Sequence, residues 1–189
     1  MLYNNQGITM DELERLKIEF EPIIKSIIND NAKFYQFTQE IKWQYIYIED
    51  VALIAMCDNS LTINVNIASI LHMRKINQPL MLEYYILHEI RHLYQRLFIL
   101  RYYLDPTDPN YKKAEQWLTE FNHYANIYED KNRYYYQSIE FDAFAFSYAV
   151  MLYKYGKVDY ITAPNIYDND DIFYSVVDKF VSYFKNNSF

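Results

Sequence analysis

Two glycines serve the whole chain of 189 residues. Glycine reaches positive φ without steric cost, so tight hairpins and phosphate-cradling loops depend on it. A chain this poor in glycine is not assembled from many short strands and sharp turns, and it has no glycine-rich phosphate loop. Aromatic residues make up 19% of the sequence and hydrophobic residues 51%, enough for one domain with a substantial core. The reading is a single domain over residues 1–189, mostly helical, of the α+β class.

The formal charge is -7, from 18 basic and 25 acidic side chains, with no local basic run. A nucleic-acid binder displaces counterions from phosphates with clustered lysine and arginine, so nucleic acid is not an expected partner. Cys57 is the single cysteine, which excludes an internal disulfide and a CxxC metal site. The opening residues carry no basic segment followed by an apolar one, and no stretch approaches ~18 uninterrupted apolar residues. No secretory signal and no membrane partner are expected, and a cytoplasmic location follows.

Thr9-Met10-Asp11-Glu12 reads as a capping box. Leu13, Leu16, Phe20, Ile23, Ile24 and Ile27 then recur at helical spacing, giving a helix over about 10–30 that Pro22 should kink or break. From 44 to 67 the period changes. Tyr45 to Ile48 and Val51 to Cys57 are rich in strand formers, and Asp58-Asn59-Ser60 signals a turn. Leu61, Ile63, Val65 and Ile67 share one face of an alternating strand, with Thr62, Asn64 and Asn66 on the other. This predicts a small antiparallel β-hairpin with one buried side. Helices are expected over Ala68–Lys75, Leu80–Leu104, Asn110–Tyr128, Arg133–Tyr155 and Asp170–Phe184, with Gly156 ending the fourth.

His88-Glu89-Ile90-Arg91-His92 lies inside the helix predicted over 80–104. Residues four apart lie one turn apart on one helical face, so His88 and His92 can reach one metal ion from a single element. Glu89 points beside that ion, where a general base belongs. A third ligand would leave a fourth position open, and His72, His123 and several carboxylates compete for the role. Glu140 is the choice, as an acidic residue in the otherwise apolar, aromatic segment Ile139 to Phe146. A carboxylate embedded there needs a partner, and Ala143 one turn on would allow close helix packing. Asp142 and Gln95 are candidates to steady a ligand histidine or to meet substrate. Arg91 reads as an ion-pair donor, and His123 or the run Tyr134-Tyr135-Tyr136 as the source of an oxyanion donor.

HEIRH on a helix, followed by a helix with Glu140, Ala143 and aromatic and small residues to Ser147, resembles the gluzincin metallopeptidases. Within that group it looks like the bacterial ImmA/IrrE-type proteins. The resemblance covers His88 to His92 and Glu140 to Ser147, with the hairpin in the expected order before them. It implies a zincin-like fold with the hairpin beside the HExxH helix, Zn2+ on His88, His92 and Glu140, and Glu89 as the base in peptide-bond hydrolysis. It also implies a protein or peptide partner, such as a transcriptional regulator, in a bacterium or mobile element. Strand Leu61–Ile67 could then add an extended peptide to the sheet. A different class stays open: a non-catalytic regulatory module with structural zinc, whose C-terminal helix docks its partner through Ile172, Phe173, Val176, Val177, Phe180, Val181 and Phe184.

Overall fold

The computed structural model describes residues 9–32, 40–76 and 78–187. The chain divides into two compact units, 1–89 and 90–189, and the division falls inside one continuous helix.

The first unit opens with α1, Met10–Ala32. Thr9 and Glu12 form the expected capping box: the Glu12 amide donates to Thr9 Oγ1 at 3.2 Å, and the Thr9 amide to Glu12 Oε2 at 2.9 Å. Pro22 does not end the helix. Its missing N–H leaves the Ile18 carbonyl without a helical donor, but Pro22 and Ile18 lie on the exposed side, where water can serve. Leu13 and Leu16 pack with Ile67, flanked by Phe20, Tyr45 and Leu71.

Three strands follow: β1 (Lys42–Ile46), β2 (Ala55–Cys57) and β3 (Thr62–Asn66), in the order β1-β3-β2. β2 and β3 form the antiparallel hairpin, shorter than the sequence pattern suggests. β1 pairs parallel to β3 from Lys42↔Thr62 to Ile46↔Asn66, so the sheet is mixed. Leu61 leaves the strand altogether, closing the turn with φ of 61°. The polar side of β3 is not a solvated face either. Asn64 and Asn66 are buried, and Asn66 acts as a hub. Its Nδ2 donates to the carbonyls of Ile48, Asp50 and Leu53, while its Oδ1 accepts from the amides of Ile48 and Ala68. That last bond caps α2, Ile67–Lys75. β3 is central, so it has no free edge for a peptide, contrary to the sequence expectation; among the described residues β2 is an edge.

α3, Leu80–Tyr102, runs from the first unit into the second. The second unit continues with α4 (Tyr111–Asn122), α5 (Lys131–Tyr136), α6 (Ser138–Tyr155) and α7 (Asp171–Asn186), with a 3₁₀ turn at Asn165–Tyr167. The helix expected over 133–155 is therefore two. Gln137 breaks it with extended ψ of 135°, its side-chain oxygen accepting from the Ala125 amide at 2.9 Å. Gly156 ends α6 at φ 69°, a value its missing Cβ makes cheap. The apolar stripe of α7 is spent within the unit. Phe173 stacks on Tyr167 at 4.2 Å, and Phe180 and Phe184 meet Phe146 of α6 edge-on. Of that stripe Phe173, Val177 and Phe184 are buried, Val176, Phe180 and Val181 are half-buried, and Ile172 is exposed. No helix among the described residues is long and apolar enough to cross a membrane.

Candidate metal centre

α3 is buried through the segment that carries HEIRH. His88, Glu89, Ile90, Arg91 and His92 are all less than one-tenth exposed. His88 and His92 stand one turn apart on this helix. Each offers a ring nitrogen, and Glu140 a carboxylate oxygen, with all three atoms within 4.8 Å of one another. His72 and His123, the other histidines, are not in this group.

Glu140 is placed by α6. Glu120 of α4 caps that helix, its Oε2 accepting from the Ile139 amide at 3.0 Å and from Ser138 Oγ at 2.9 Å. Glu140 then falls in the first turn, where the helix N-terminus favours a negative charge. It is fully buried, with Oε1 3.0 Å from His92 Nε2. Ala143, one turn on, is fully buried too.

The proton on His92 can be assigned from its neighbours. Gln95, fully buried on the same helix, sends its amide nitrogen to two acceptors at 2.9 Å, the Ile139 carbonyl and Asp142 Oδ2. Its oxygen therefore faces His92 Nδ1, 2.9 Å away, and that nitrogen is the donor. In the neutral ring Nε2 is then an acceptor lying 3.0 Å from a carboxylate oxygen. Two acceptors at this distance repel unless a proton or a cation lies between or beside them. A proton would give a buried His–Glu ion pair, which needs no third group. The convergence of His88 on the same point is what fits the residues to a metal ion.

Asp142 anchors the outer part of this network. Arg91 grips it through two bonds, Nε to Oδ2 at 2.6 Å and Nη2 to Oδ1 at 2.9 Å. Burial alone would push the Asp142 carboxyl up, but the Arg91 guanidinium, helped by Gln95 and Lys113, holds it below the usual carboxylate range. Asp142 thus reaches His92 through Gln95, and Arg91 is its ion-pair donor.

Glu89 accepts from the Cys57 amide at 2.6 Å. Around this strand, Ile54 and Asp58 bond across to Asn66 and Thr62. By the antiparallel alternation, the backbone groups of Ala55 and Cys57 point away from β3. The outward edge of β2 is therefore the one that meets Glu89.

The hydroxyl candidates separate clearly. Tyr124 donates to Glu140 Oε1. Tyr134 lies against the same pair: burial, then the charge of Glu140 and the neighbouring Tyr124, push its phenol far up, so it stays protonated as a donor. Tyr136 is turned to Asp170 and the Ile166 carbonyl, and Tyr135 offers its backbone carbonyl to Tyr167. His123 is exposed and folds its Nδ1 back on the Thr119 carbonyl at 3.0 Å. Tyr124 and the Cys57 amide were missed by sequence reasoning. Tyr124 falls inside the helix expected over Asn110–Tyr128, but α4 ends at Asn122 and Tyr124 lies in the loop beyond it; a backbone donor leaves no trace in residue type. Comparisons of the chain with known protein families, curated proteins and solved structures found no match.

Proposed function

We propose that this chain is a zinc-dependent metallopeptidase of the gluzincin type, resembling the ImmA/IrrE-type proteins. It would hydrolyse peptide bonds in a protein substrate, such as a transcriptional regulator, in the cytoplasm. The observation that carries the reading is the convergence of His88, His92 and Glu140. Two imidazoles and a carboxylate suit zinc, and tetrahedral bonds of about 2.0–2.1 Å put ligand atoms roughly 3.4 Å apart. Atoms already within 4.8 Å of one another need only small side-chain shifts to meet that demand.

Zinc bound there would polarise a peptide carbonyl and lower the pKa of a coordinated water toward ~7. The chain's own groups supply the rest. Glu89 takes a proton from the attacking water and returns it to the leaving amine, held in place by the Cys57 amide. Tyr124 and Tyr134 fix the Glu140 carboxylate, and Gln95 keeps His92 in the tautomer whose Nε2 can bind a metal. An extended peptide would pair with the outward edge of β2 beside Glu89.

A second reading has one observation in its favour. The bond from the Cys57 amide gives Glu89 a structural use, tying β2 to α3, so a non-catalytic regulatory module with structural zinc would also keep this residue. One experiment separates the two. Metal content and cleavage of a proteome-derived peptide library, read by mass spectrometry of new termini, are compared for wild type, Glu89→Gln and His88→Ala. Glutamine retains an acceptor for Cys57, so Glu89→Gln should keep the fold and about one zinc per chain while cleavage falls ~10²–10⁴-fold. His88→Ala should lose metal and cleavage together. Zinc in the wild type without cleavage points to the regulatory module. Wild type without zinc overturns both readings.

A further inference from the structure

The second unit holds a pocket of about 660 Å³, within the ~300–1,000 Å³ of small-molecule sites. Its lining comes from α3, α4, α6 and α7. Its charge is opposite to that of the chain. Arg91, Lys112, Lys113 and Lys179 line it against one acid, Asp142, in a protein of net charge -7.

Arg91 is already committed. It is bonded twice to Asp142 and sits among the rings of Tyr94, Phe146 and Phe180 at 4.4, 5.1 and 5.1 Å. The Arg91–Asp142 pair is therefore a neutral inner wall. The nearby Glu120 carboxylate is also occupied, by Ser138, the Ile139 amide and Gln116. Three lysines remain, and among the described residues none of them has a carboxylate partner. Lys113 lies over the ring of the buried Trp117 at 4.3 Å. Lys113 is exposed, and partial desolvation of its ammonium lowers its pKa against the opposing charge of Asp142. Between the lysines the surface is apolar: Phe141, Val176 and Phe180 are each half-buried.

We propose that this pocket binds a small organic anion with an apolar body, its acidic head among Lys112, Lys113 and Lys179 and its tail over Phe141, Val176 and Phe180. The lysine ammonium groups complement either a carboxylate or a phosphate monoester as point charges. The apolar lining of Phe141, Val176 and Phe180 rewards a hydrocarbon or aryl body that a simple inorganic ion lacks. The site does not depend on the metal centre.

The test is calorimetric titration of the full chain in chelator, with decanoate, decyl phosphate and decyltrimethylammonium, each below its micelle concentration. One or both anions should bind at least tenfold tighter than the cation, the tighter one identifying the head group. Lys113→Gln/Lys179→Gln should weaken that binding tenfold or more, while Lys25→Gln/Lys157→Gln, an equal change of net charge elsewhere, should not. Trp43→Phe leaves Trp117 as the one remaining tryptophan of two, and its emission should shift with the same midpoint. Three outcomes each overturn the proposal: no anion binding up to about 1 mM, equal binding of the cation, or unchanged binding by the pocket double variant in protein whose circular dichroism is native.

Discussion

Two buried polar sites in this molecule use similar side chains and end differently. In the first unit, Asn66 is fully buried and both ends of its amide meet backbone partners of matching type. In the second, Glu140 is as deeply buried, yet an oxygen of it faces the lone-pair nitrogen of His92 at 3.0 Å. The Asn66 network closes on itself. The Glu140 site brings a carboxylate oxygen, which accepts from Tyr124, to within 3.0 Å of a ring nitrogen of His92. A buried polar group satisfied by its own chain is architecture. At Glu140 two histidines and a carboxylate meet beside the Tyr124 donor, and the proposed metal site rests on that grouping.

The comparison breaks first at Asn66. Asn66→Ala leaves three carbonyls and two amides without this partner. With ~1–3 kcal/mol for each buried group left unsatisfied, and some of them reached by water, the expected loss is at least about 3 kcal/mol. Urea unfolding checks it. A loss under about 1 kcal/mol would mean that water replaces the hub.

Removing Gln95 should cost metal affinity as well as stability, because the Ile139 carbonyl, Asp142 Oδ2 and His92 Nδ1 all lose this partner. Gln95→Met keeps the volume but frees His92 to change tautomer, and partners of ligand histidines are typically worth 10–100-fold in affinity. Competition with a chromophoric chelator reads the zinc constant directly. Tyr124→Phe tests the same principle from the Glu140 side and should fall in the same range. Unchanged affinity in both variants would show that the network does not position the ligands.

Glu140→Gln is expected to act with the opposite sign from Asn66→Ala when metal is absent. The amide can donate to His92 Nε2, turning a contact between two acceptors into a hydrogen bond, so the metal-free protein should be unchanged or more stable, within about 1 kcal/mol. Zinc should then no longer raise its melting temperature, whereas wild type gains stability as ligand concentration rises above Kd. Clear destabilisation of the metal-free variant would favour a His92–Glu140 ion pair over a metal site.

Local chemistry explains what the sequence made legible. Helix limits followed from caps and periodicity: Thr9 and Glu12 at the start of α1, Asp170 at the start of α7, Gly156 at the end of α6. The two histidines needed only helical geometry. Glu140 was readable because a charge in an apolar aromatic run demands a partner. Long-range pairings were not readable. Nothing in Lys42–Ile46 announces that it joins β3 in parallel, nor that Gln44 and the segment Ile48 to Leu53 after it bring partners to Asn64 and Asn66. Nor does residue type foretell the break at Gln137, which depends on the bond to Ala125 from outside the segment.

The smallest effect lies at the hairpin turn. Asp58 accepts from Ser60 Oγ at 2.6 Å, from the amides of Ser60 and Thr62 at 2.8 and 3.1 Å, and from Asn64 Nδ2 at 2.9 Å. The hydrogen bond from the Ser60 side chain leads the causes that lower its pKa to about 2, with Asn64 and the two amides assisting against burial. The folded value thus lies below the unfolded carboxylate value of about 3.9. A depressed carboxylate contributes stability that is fully present above the unfolded pKa and is lost as pH falls through the folded one. The window is therefore about pH 4 to pH 2. Asp58→Asn should be less stable than wild type near pH 6, with the gap shrinking across that window. Solvent screening at this partly exposed turn keeps the gap small. The Asn66→Ala deficit should not follow it, because an amide does not titrate. Urea unfolding of the three proteins at pH 6, 4 and 2.5 checks both halves. A gap for Asp58→Asn that stays constant to pH 2.5 would show that the shape of the turn, and not the charge of Asp58, holds β2 against β3.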